Sequence, residues 1–253
     1  MRVIKIGGRA QSSATLPAAI AAAWRDAPGS LCIVHGGGDE ISALQRVLGV
    51  EPRFVGGRRA TTERDVDLVR MALSGAANKR LVAALVTAGV SAVGISGEDA
   101  ALIVALPDAD ARMGRVGTPN AINVQLIWHL LDGDYLPVVS PLARSNADDG
   151  TALNVNGDDA AAALAVALGA DELLLVADVP GVLLADGAAA ATLDGDDAAE
   201  LIAAGIAGGG MAAKLRAAMS ALEGGVARAR IGDAAAVTDP NRGTLLTPTR
   251  TTV

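Results

Sequence analysis

The sequence predicts an α/β protein: a three-layer αβα sandwich whose central sheet is mainly parallel. Short apolar runs such as residues 31–34 and 173–176 recur along the chain, and the wholly aliphatic content of the second is that of a strand covered by helices on both faces. Those runs alternate with helical patterns of about 10–15 residues, the signature of βαβ units. The 253 residues contain no repeat of fixed period and no linker long enough to separate independent domains. One domain, or two lobes sharing one sheet, is therefore expected.

In chain order, residues 3–6 form a strand that carries Lys5 and runs straight into Gly7-Gly8. A helix is expected over 15–27, with Pro17 in its first turn and Pro28-Gly29 as its stop. Residues 31–34 make the second strand, which ends in His35-Gly36-Gly37-Gly38 and an acidic helix start, Asp39-Glu40. That helix, 40–48, places Ile41, Leu44 and Leu48 on one face, and Gly49 stops it. Residues 51–62 read as a loop or hairpin carrying Arg58 and Arg59 beside Gly56-Gly57. Helices are expected at 63–73 and 76–88, with Lys79 on a solvated face. Residues 91–95 are a strand closed by Ser96-Gly97-Glu98-Asp99. Alternation of apolar and polar groups over 101–118, around Pro107 and Gly114, suggests a β-excursion at one edge of the sheet.

A helix is expected over 121–131, stopped by Gly133-Asp134, and 135–140 is a buried strand. A polar loop, 143–151, leads to Asn154-Val155-Asn156-Gly157-Asp158 and an Ala-rich helix through Leu168. After the strand 173–176, Asp178-Val179-Pro180-Gly181 turns out of the sheet. The Ala/Asp/Gly tract 185–198 reads as a mobile surface loop before a helix around Glu200. A helix over 211–222 and a strand over 227–231 complete the core, and Gly243-Thr244 precedes a last short strand.

Composition narrows the function. Hydrophobic residues make up 51% of the chain but aromatic residues only 2%, so the core is built from Ala, Val, Leu and Ile. The net charge is −7 and no Lys/Arg-rich run is interleaved with aromatics, which argues against a nucleic-acid partner. No apolar stretch reaches the roughly 18–20 residues of a membrane span, and the first residues enter a strand without a leader. No membrane contact and a cytoplasmic location are expected. Cys32 is the single cysteine and sits mid-strand, a buried structural thiol.

Two strands that end in side-chain-free turns let backbone N–H groups approach a bound oxyanion closely, because glycine has no Cβ in the way. Where such a turn opens a helix, the unpaired amides and the macrodipole add attraction for negative charge. The basic residues agree with this. All but Lys5, Lys79 and Lys214 of the 21 are arginine, so a retained lysine marks a place for a compact, mobile ammonium rather than a planar fork. Lys5 precedes Gly7-Gly8, and Lys214 follows Gly208-Gly209-Gly210-Met211. The pattern points to a phosphate-handling site. It lacks the GxxxxGK[ST] of P-loop proteins, a GxGxxG after the first strand, the HRD…DFG set and a GxSxG elbow. His35 and His129 have no ligand-spaced Cys or acidic partner, so no zinc site is expected. His35 reads as a strand-end residue that fixes its loop by hydrogen bonds, not as a general base.

The run Lys5-Ile6-Gly7-Gly8, His35-Gly36-Gly37-Gly38, Gly57-Arg58-Arg59-Ala60-Thr61, Asn78-Lys79, Asn154-Val155-Asn156-Gly157-Asp158, Asp178-Val179-Pro180-Gly181 and Gly209-Gly210-Met211-Ala212-Ala213-Lys214 resembles the amino acid kinase family. The motifs occur in the family's order over essentially the whole chain. The resemblance implies the amino acid kinase fold as a single domain over 1–253, with an acceptor-binding N-lobe over about 1–170 and a nucleotide-binding C-lobe over about 171–253. It implies ATP-dependent phosphorylation of a side-chain carboxylate, most nearly that of N-acetyl-L-glutamate to N-acetyl-L-glutamyl 5-phosphate in arginine biosynthesis. Such a carboxylate, with a pKa near 4.3, is already ionised at neutral pH. It needs in-line positioning and charge neutralisation rather than a general base.

By the family's pattern, Lys5 and Lys214 approach the transferring phosphoryl group from either side. Gly8, Gly37 and Gly38 offer N–H groups to it and to the reacting carboxylate. Asp158 matches the acidic residue that holds both lysines, a role that coexists with a carboxylate favoured by a helix N-terminus. Arg59 aligns with the arginine that binds a second acceptor carboxylate, with Arg58 beside it able to exchange roles, and Asn154 with the asparagine at the acceptor's amide end. Asp178, Val179, Gly181, Val182 and Leu183, with Gly209, Gly210, Met211 and Lys214, match the nucleotide-binding stretches. Mg²⁺ is implied as held mainly by ATP phosphates and water, with no metal site on the protein. A homodimer is implied, insensitive to arginine because this sequence has no counterpart of the extra N-terminal helix of arginine-inhibited relatives.

The sequence departs from the family's pattern at four places. Arg9 stands where a small or aliphatic residue is usual, Arg58 where an aliphatic one is common, Gly157 where alanine is usual and Ala177 where a hydroxyl residue is usual. Gly157-Asp158 is similar to kinases of carrier-protein-linked aminoadipate or glutamate in lysine or arginine biosynthesis. The net charge of −7 argues against an acidic protein partner, although Arg9, Arg58 and Arg59 could form a local basic patch for one. A non-catalytic amino-acid-sensing domain of the same fold is the reading from another class, and the presence of Lys5, Lys214 and Asp158 counts against it.

Overall fold

The aliphatic runs fold as expected into one sheet, seen here in a computed structural model that describes residues 1–55, 57–147 and 150–248. Gly56 of the expected Gly56-Gly57 pair, Asp148 and Asp149 of the expected polar loop, and 249–253 at the end of the expected C-lobe lie outside the described residues. Strand β1 (Arg2–Ile6) leads through a 3₁₀ turn, Arg9–Ser12, and helix α1 (Leu16–Asp26) to β2 (Leu31–His35). Helix α2 (Gly38–Val47) opens directly from the glycine run. Its buried face is Ile41, Ser42 and Gln45, whereas Leu48 lies half in solvent just past its end. Of the expected apolar face, Ile41 is buried and Leu44 packs against the cluster that contains it, while Leu48 is exposed and the polar Ser42 and Gln45 are buried alongside.

A hairpin of β3 (Phe54–Val55) and β4 (Arg58–Arg59) follows, then α3 (Glu63–Val69), whose start is fixed by a Thr62–Asp65 capping box. The two helices expected at 63–73 and 76–88 are one continuous helical rod. A π-helical stretch, Arg70–Ala77, joins α3 to α4 (Asn78–Thr87). Ser74-Gly75 therefore widens the helix instead of ending it.

Strand β5 (Ala92–Ser96) is followed by β6 (Ile103–Pro107) and β7 (Val116–Ile122), then α5 (Val124–Asp132) and β8 (Leu136–Ser140). Residues 121 and 122, expected to start that helix, belong to β7. The expected polar loop at 143–151 contains most of a strand, β9 (Leu142–Ser145), and β10 (Ala152–Val155) precedes helix α6 (Gly157–Ala167). The excursion over 101–118 is not an edge of the central sheet. Strands β6, β7, β9 and β10 close on themselves as a small barrel in the order β10-β7-β6-β9. β6 pairs antiparallel with β7 and parallel with β9, and β10 then joins both partners. Closure leaves none of these short strands with an unpaired edge.

Strand β11 (Glu172–Val176), edge strand β12 (Thr192–Leu193), helices α7 (Gly195–Ala203) and α8 (Gly209–Glu223), and strands β13 (Arg228–Gly232) and β14 (Thr244–Leu246) complete the chain. β12 and the first turns of α7 occupy the end of the tract expected as a loop. The central sheet runs β12-β14-β13-β11-β1-β2-β8-β5. Its pairings are parallel except β13 with β14. Because β1 pairs with β11, the boundary expected near residue 170 falls inside one continuous sheet.

The register aligns Ile6 with His35 on one side and Val176 on the other, and Val176 with Gly232. All these strands thus end at one edge, where Gly7-Gly8, Gly36–Gly38 and Ala177-Asp178 leave the sheet. In open parallel sheets that carboxyl edge is where ligands bind. Helix α6 packs between β1 and α8, with Ala160, Ala161, Leu164 and Ala165 fully buried. Small side chains let it approach both neighbours closely, and this brings its first turn to the carboxyl edge. No described helix is long and apolar enough to cross a membrane.

Candidate active site

An open cleft of ≈ 580 Å³ lies at the carboxyl edge, walled by the glycine turns after β1 and β2, the β3–β4 hairpin, the first turn of α6 and the N-terminus of α8. Three side chains meet at its floor. Lys5 comes from β1, Asp158 from the first turn of α6 and Lys214 from α8; each is no more than 9% exposed. Lys5 Nζ lies 2.8 Å from Asp158 Oδ1, and Lys214 Nζ lies 3.4 Å from both carboxylate oxygens. Asn156 caps α6 through its Oδ1, which accepts from Asp158 N at 2.7 Å and fixes the backbone that carries the carboxylate.

Burial alone pushes the Asp158 carboxyl upward, but the two ammoniums together outweigh it and hold the group below the usual carboxylate value. Lys214 is shifted downward, first by burial and next by the charge of Lys5, with Asp158 opposing both. One carboxylate between two cations leaves a local charge excess, and a second anion entering here would relieve it.

At Gly36 and Gly37 the turn after β2 leaves little room for side chains. A Cβ on Gly36 would sit 3.3 Å from Gly8 N and 3.7 Å from Lys5 Nζ, and one on Gly37 would collide with Leu73. A Cβ on Gly157, where the family usually has alanine, would lie 3.2 Å from Lys5 Cε. His35 is fully buried beneath this loop. Asn78 Nδ2 donates to His35 Nε2 at 3.1 Å and to Val138 O at 2.9 Å. The His35 proton therefore resides on Nδ1, which donates to Gly36 O at 2.8 Å. Burial pushes its pKa down to about 4, so the ring is neutral and structural, as expected. Gln11 Nε2 donates to the same carbonyl at 2.7 Å. Asn78 and Gln11 were not singled out in the sequence as holders of this loop; the motif Asn78-Lys79 was the available signal. Lys79 itself is exposed and donates to Gly94 O, as the solvated reading has it.

The adjacent arginines of β4 have different partners. Arg59 donates through Nη1 to Gln45 Oε1 at 2.5 Å and through Nη2 to Ser42 Oγ at 2.6 Å and Gly38 O at 2.8 Å. Phe54 stacks on the guanidinium at 4.9 Å. Gln45 in turn donates to Asp65 at 2.9 Å, so the capping box of α3 helps to orient Arg59. Arg58 pairs with Asp108 at 2.6 Å. Asn154 Nδ2 donates to Thr61 Oγ1 at 2.9 Å, leaving its carbonyl oxygen for a ligand N–H. Arg9 crosses the mouth of the cleft to pair with Asp178 at 3.0 Å.

The cleft gathers Lys5, Gly8, Gly37, Gly38, Arg59, Asn154, Asp158, Asp178, Val179, Gly210, Met211 and Lys214. Gly181, Val182, Leu183 and Gly209 lie outside its lining. Val182 is fully buried and its N–H donates to Thr244 Oγ1, while Leu183 is bridged to Ala189. Together these residues brace the segment behind Asp178. Cys32 is buried in β2, with its thiol pushed up to about 12 by desolvation, an inert core residue.

Cations dominate the lining. Lys5, Arg9, Arg58, Arg59 and Lys214 face the carboxylates of Asp158 and Asp178, in a chain whose net charge is −7. Such a cleft focuses a positive potential and draws in polyanions. Among the described residues no group of three or more His, Cys, Asp or Glu side chains could hold a metal ion.

Comparison with known proteins gives the following matches. A family model described as the amino acid kinase family matches residues 1–233. The acetylglutamate kinase of Roseiflexus castenholzii is 46% identical over 236 residues, which cover 90% of this chain and 88% of that one. The acetylglutamate kinase of Chloroflexus aurantiacus is 41% identical over 239 residues, covering 94% and 93%. Among solved structures, the protein smu.665 of Streptococcus mutans superposes with a TM-score of 0.86 at 33% identity, covering 97% of this chain and 98% of that one.

Proposed function

The chain belongs to the amino acid kinase family, and from that premise we propose that it transfers the γ-phosphoryl group of ATP to the side-chain carboxylate of N-acetyl-L-glutamate. The products are N-acetyl-L-glutamyl 5-phosphate and ADP, and the step belongs to arginine biosynthesis. An acceptor carboxylate oxygen forms a bond to the γ-phosphorus while the bond from that phosphorus to the β,γ-bridging oxygen breaks. The electron pair leaves on ADP, and no proton has to be removed. The protein's task is therefore alignment and charge neutralisation.

In this reading Lys5 and Lys214 neutralise the phosphoryl oxygens, and Asp158 keeps both ammoniums aimed before ATP arrives. Gly8, Gly37 and Gly38 line the path between donor and acceptor. Arg59, already oriented by Gln45, Ser42 and Gly38 O, receives the acceptor's second carboxylate. Asn154 takes the amide N–H on its free oxygen. Asp178, Val179, Gly210 and Met211 lie on the nucleotide side, which corresponds to a C-lobe beyond about residue 170. Mg²⁺ bound to the ATP phosphates would add neutralising charge. A cytoplasmic homodimer is the form we propose for the enzyme.

The observation that carries the reading is the meeting of Lys5 and Lys214 at one buried carboxylate on the carboxyl edge of the sheet. A coupled ADP-release assay with purified protein, ATP and Mg²⁺ tests it. N-acetyl-L-glutamate should support turnover, and carrier-linked aminoadipate should not. Turnover with the carrier-linked acceptor alone would overturn the choice of acceptor, and no ADP release with either would favour a non-catalytic sensor.

A further inference from the structure

Arg9 is a cleft cation with no role in the scheme above. It is the first residue after Gly7-Gly8, in the 3₁₀ turn at the carboxyl end of β1, and it lines the same cleft as Lys5, Lys214 and Gly210. Each of the other cations is already committed. Lys5 and Lys214 share the buried Asp158, Arg58 is paired with Asp108, and Arg59 is held by Gln45, Ser42 and Gly38 O. Arg9 alone pairs with a well-exposed partner: its side chain is 76% exposed and that of Asp178 is 48% exposed.

We propose that Arg9 is a further nucleotide-binding residue, whose guanidinium exchanges the Asp178 carboxylate for the β- and γ-phosphate oxygens when ATP enters the cleft. The inference rests on the kinase reading but deepens only its nucleotide side. An exposed ion pair of this kind contributes little net stability, so breaking it costs little. A polyphosphate offers Arg9 more negative charge than one carboxylate, and oxygen pairs that match the planar fork. Placement also suits the chemistry. The two lysines sit where the transferring group lies, whereas Arg9 reaches from β1 toward the segment after β11. Charge that develops on the departing ADP oxygen in phosphoryl transfer falls on that side. In the free protein the Arg9–Asp178 contact spans the mouth of the cleft, and nucleotide entry would release it.

Arg9→Met and Arg9→Lys test the assignment. Because the side chain is largely in solvent, both variants should keep the wild-type melting temperature. In Arg9→Met, kcat/KM for ATP should fall about 10- to 100-fold, the range for a charge-assisted hydrogen bond, while KM for the acceptor stays within about twofold. Titration calorimetry without acceptor should show ADP binding weakened about tenfold and adenosine binding unchanged. Arg9→Lys should recover part of both losses. Repeating Arg9→Met in an Asp178→Asn background separates the phosphate role from a merely structural latch. Loss of ADP affinity in both backgrounds supports the phosphate role, and loss only when Asp178 is intact overturns it. Unchanged ADP affinity in Arg9→Met, with wild type binding ADP, overturns this inference and leaves the kinase reading standing. Wild-type protein that binds no ADP would overturn both.

Discussion

Replacing Asp158 by Asn tests the centre of the site most directly, because it removes one charge and almost no volume. The carboxylate and the Lys5 ammonium are 6% and 7% exposed and 2.8 Å apart, and Lys214 adds a second buried cation at 3.4 Å. Removing one partner of a buried ion pair strands the other in low dielectric, at a cost of about 3–5 kcal/mol. For a chain of this length that corresponds to a fall in melting temperature of about 6–20 °C. The two facing ammoniums would then repel each other across a neutral amide, so both stability and aim are lost, and kcat should drop at least about 100-fold. Bound ATP supplies the missing negative charge. It should therefore raise the melting temperature more in Asp158→Asn than in wild type, measured by scanning calorimetry at matched saturation. A variant that melts within about 2 °C of wild type and turns over normally would refute the claim that this carboxylate holds the lysines. So would an ATP-induced shift no larger than that of wild type.

The remaining expectations concern single groups. Lys214→Arg keeps the charge but puts a planar fork where a compact ammonium fits, and turnover should fall by about two orders of magnitude with the fold intact by circular dichroism; wild-type turnover would count against the role. Lys214 acts as a cation and its pKa is shifted below the ordinary 10.5 by burial and by Lys5. Activity should accordingly decline on the alkaline side before pH 10.5, and a kcat profile flat past that point would contradict the assignment. His35 is neutral in the fold, with its pKa lowered from 6.5 to about 4. The unfolded chain then binds more protons between those values, so stability is lost as pH falls from 6.5 toward 4, by about 3 kcal/mol in all. Urea unfolding of wild type against His35→Gln at pH 7.5 and pH 5 checks this, and equal pH slopes in the two proteins would rule it out.

How much of this was legible in the sequence depends on how far apart the cooperating residues lie. The glycine turns after β1 and β2 and the retained lysines beside glycine are each encoded within a few residues, and they marked the floor of the cleft correctly. The capping residue Asn156 and the first turn of α6 that carries Asp158 are equally local. The small barrel was not readable in this way. β9 and β10 have four residues each, too short for alternation to announce a strand, and their pairing with β6 and β7 is decided only by tertiary register. The orientation of Arg59 was hidden for the same reason: Gln45 and Asp65, which set it, come from different helices. Residues 178–183 show the converse limit. A contiguous motif suggested one common role, yet Asp178 and Val179 open onto the cleft while Val182 turns into the core and pairs with Thr244, 62 positions away. A short motif fixes where the backbone passes. Which of its side chains opens onto the cleft depends on what packs behind the backbone: Val182 is held against Thr244 at the start of β14, whereas Asp178 lines the cleft.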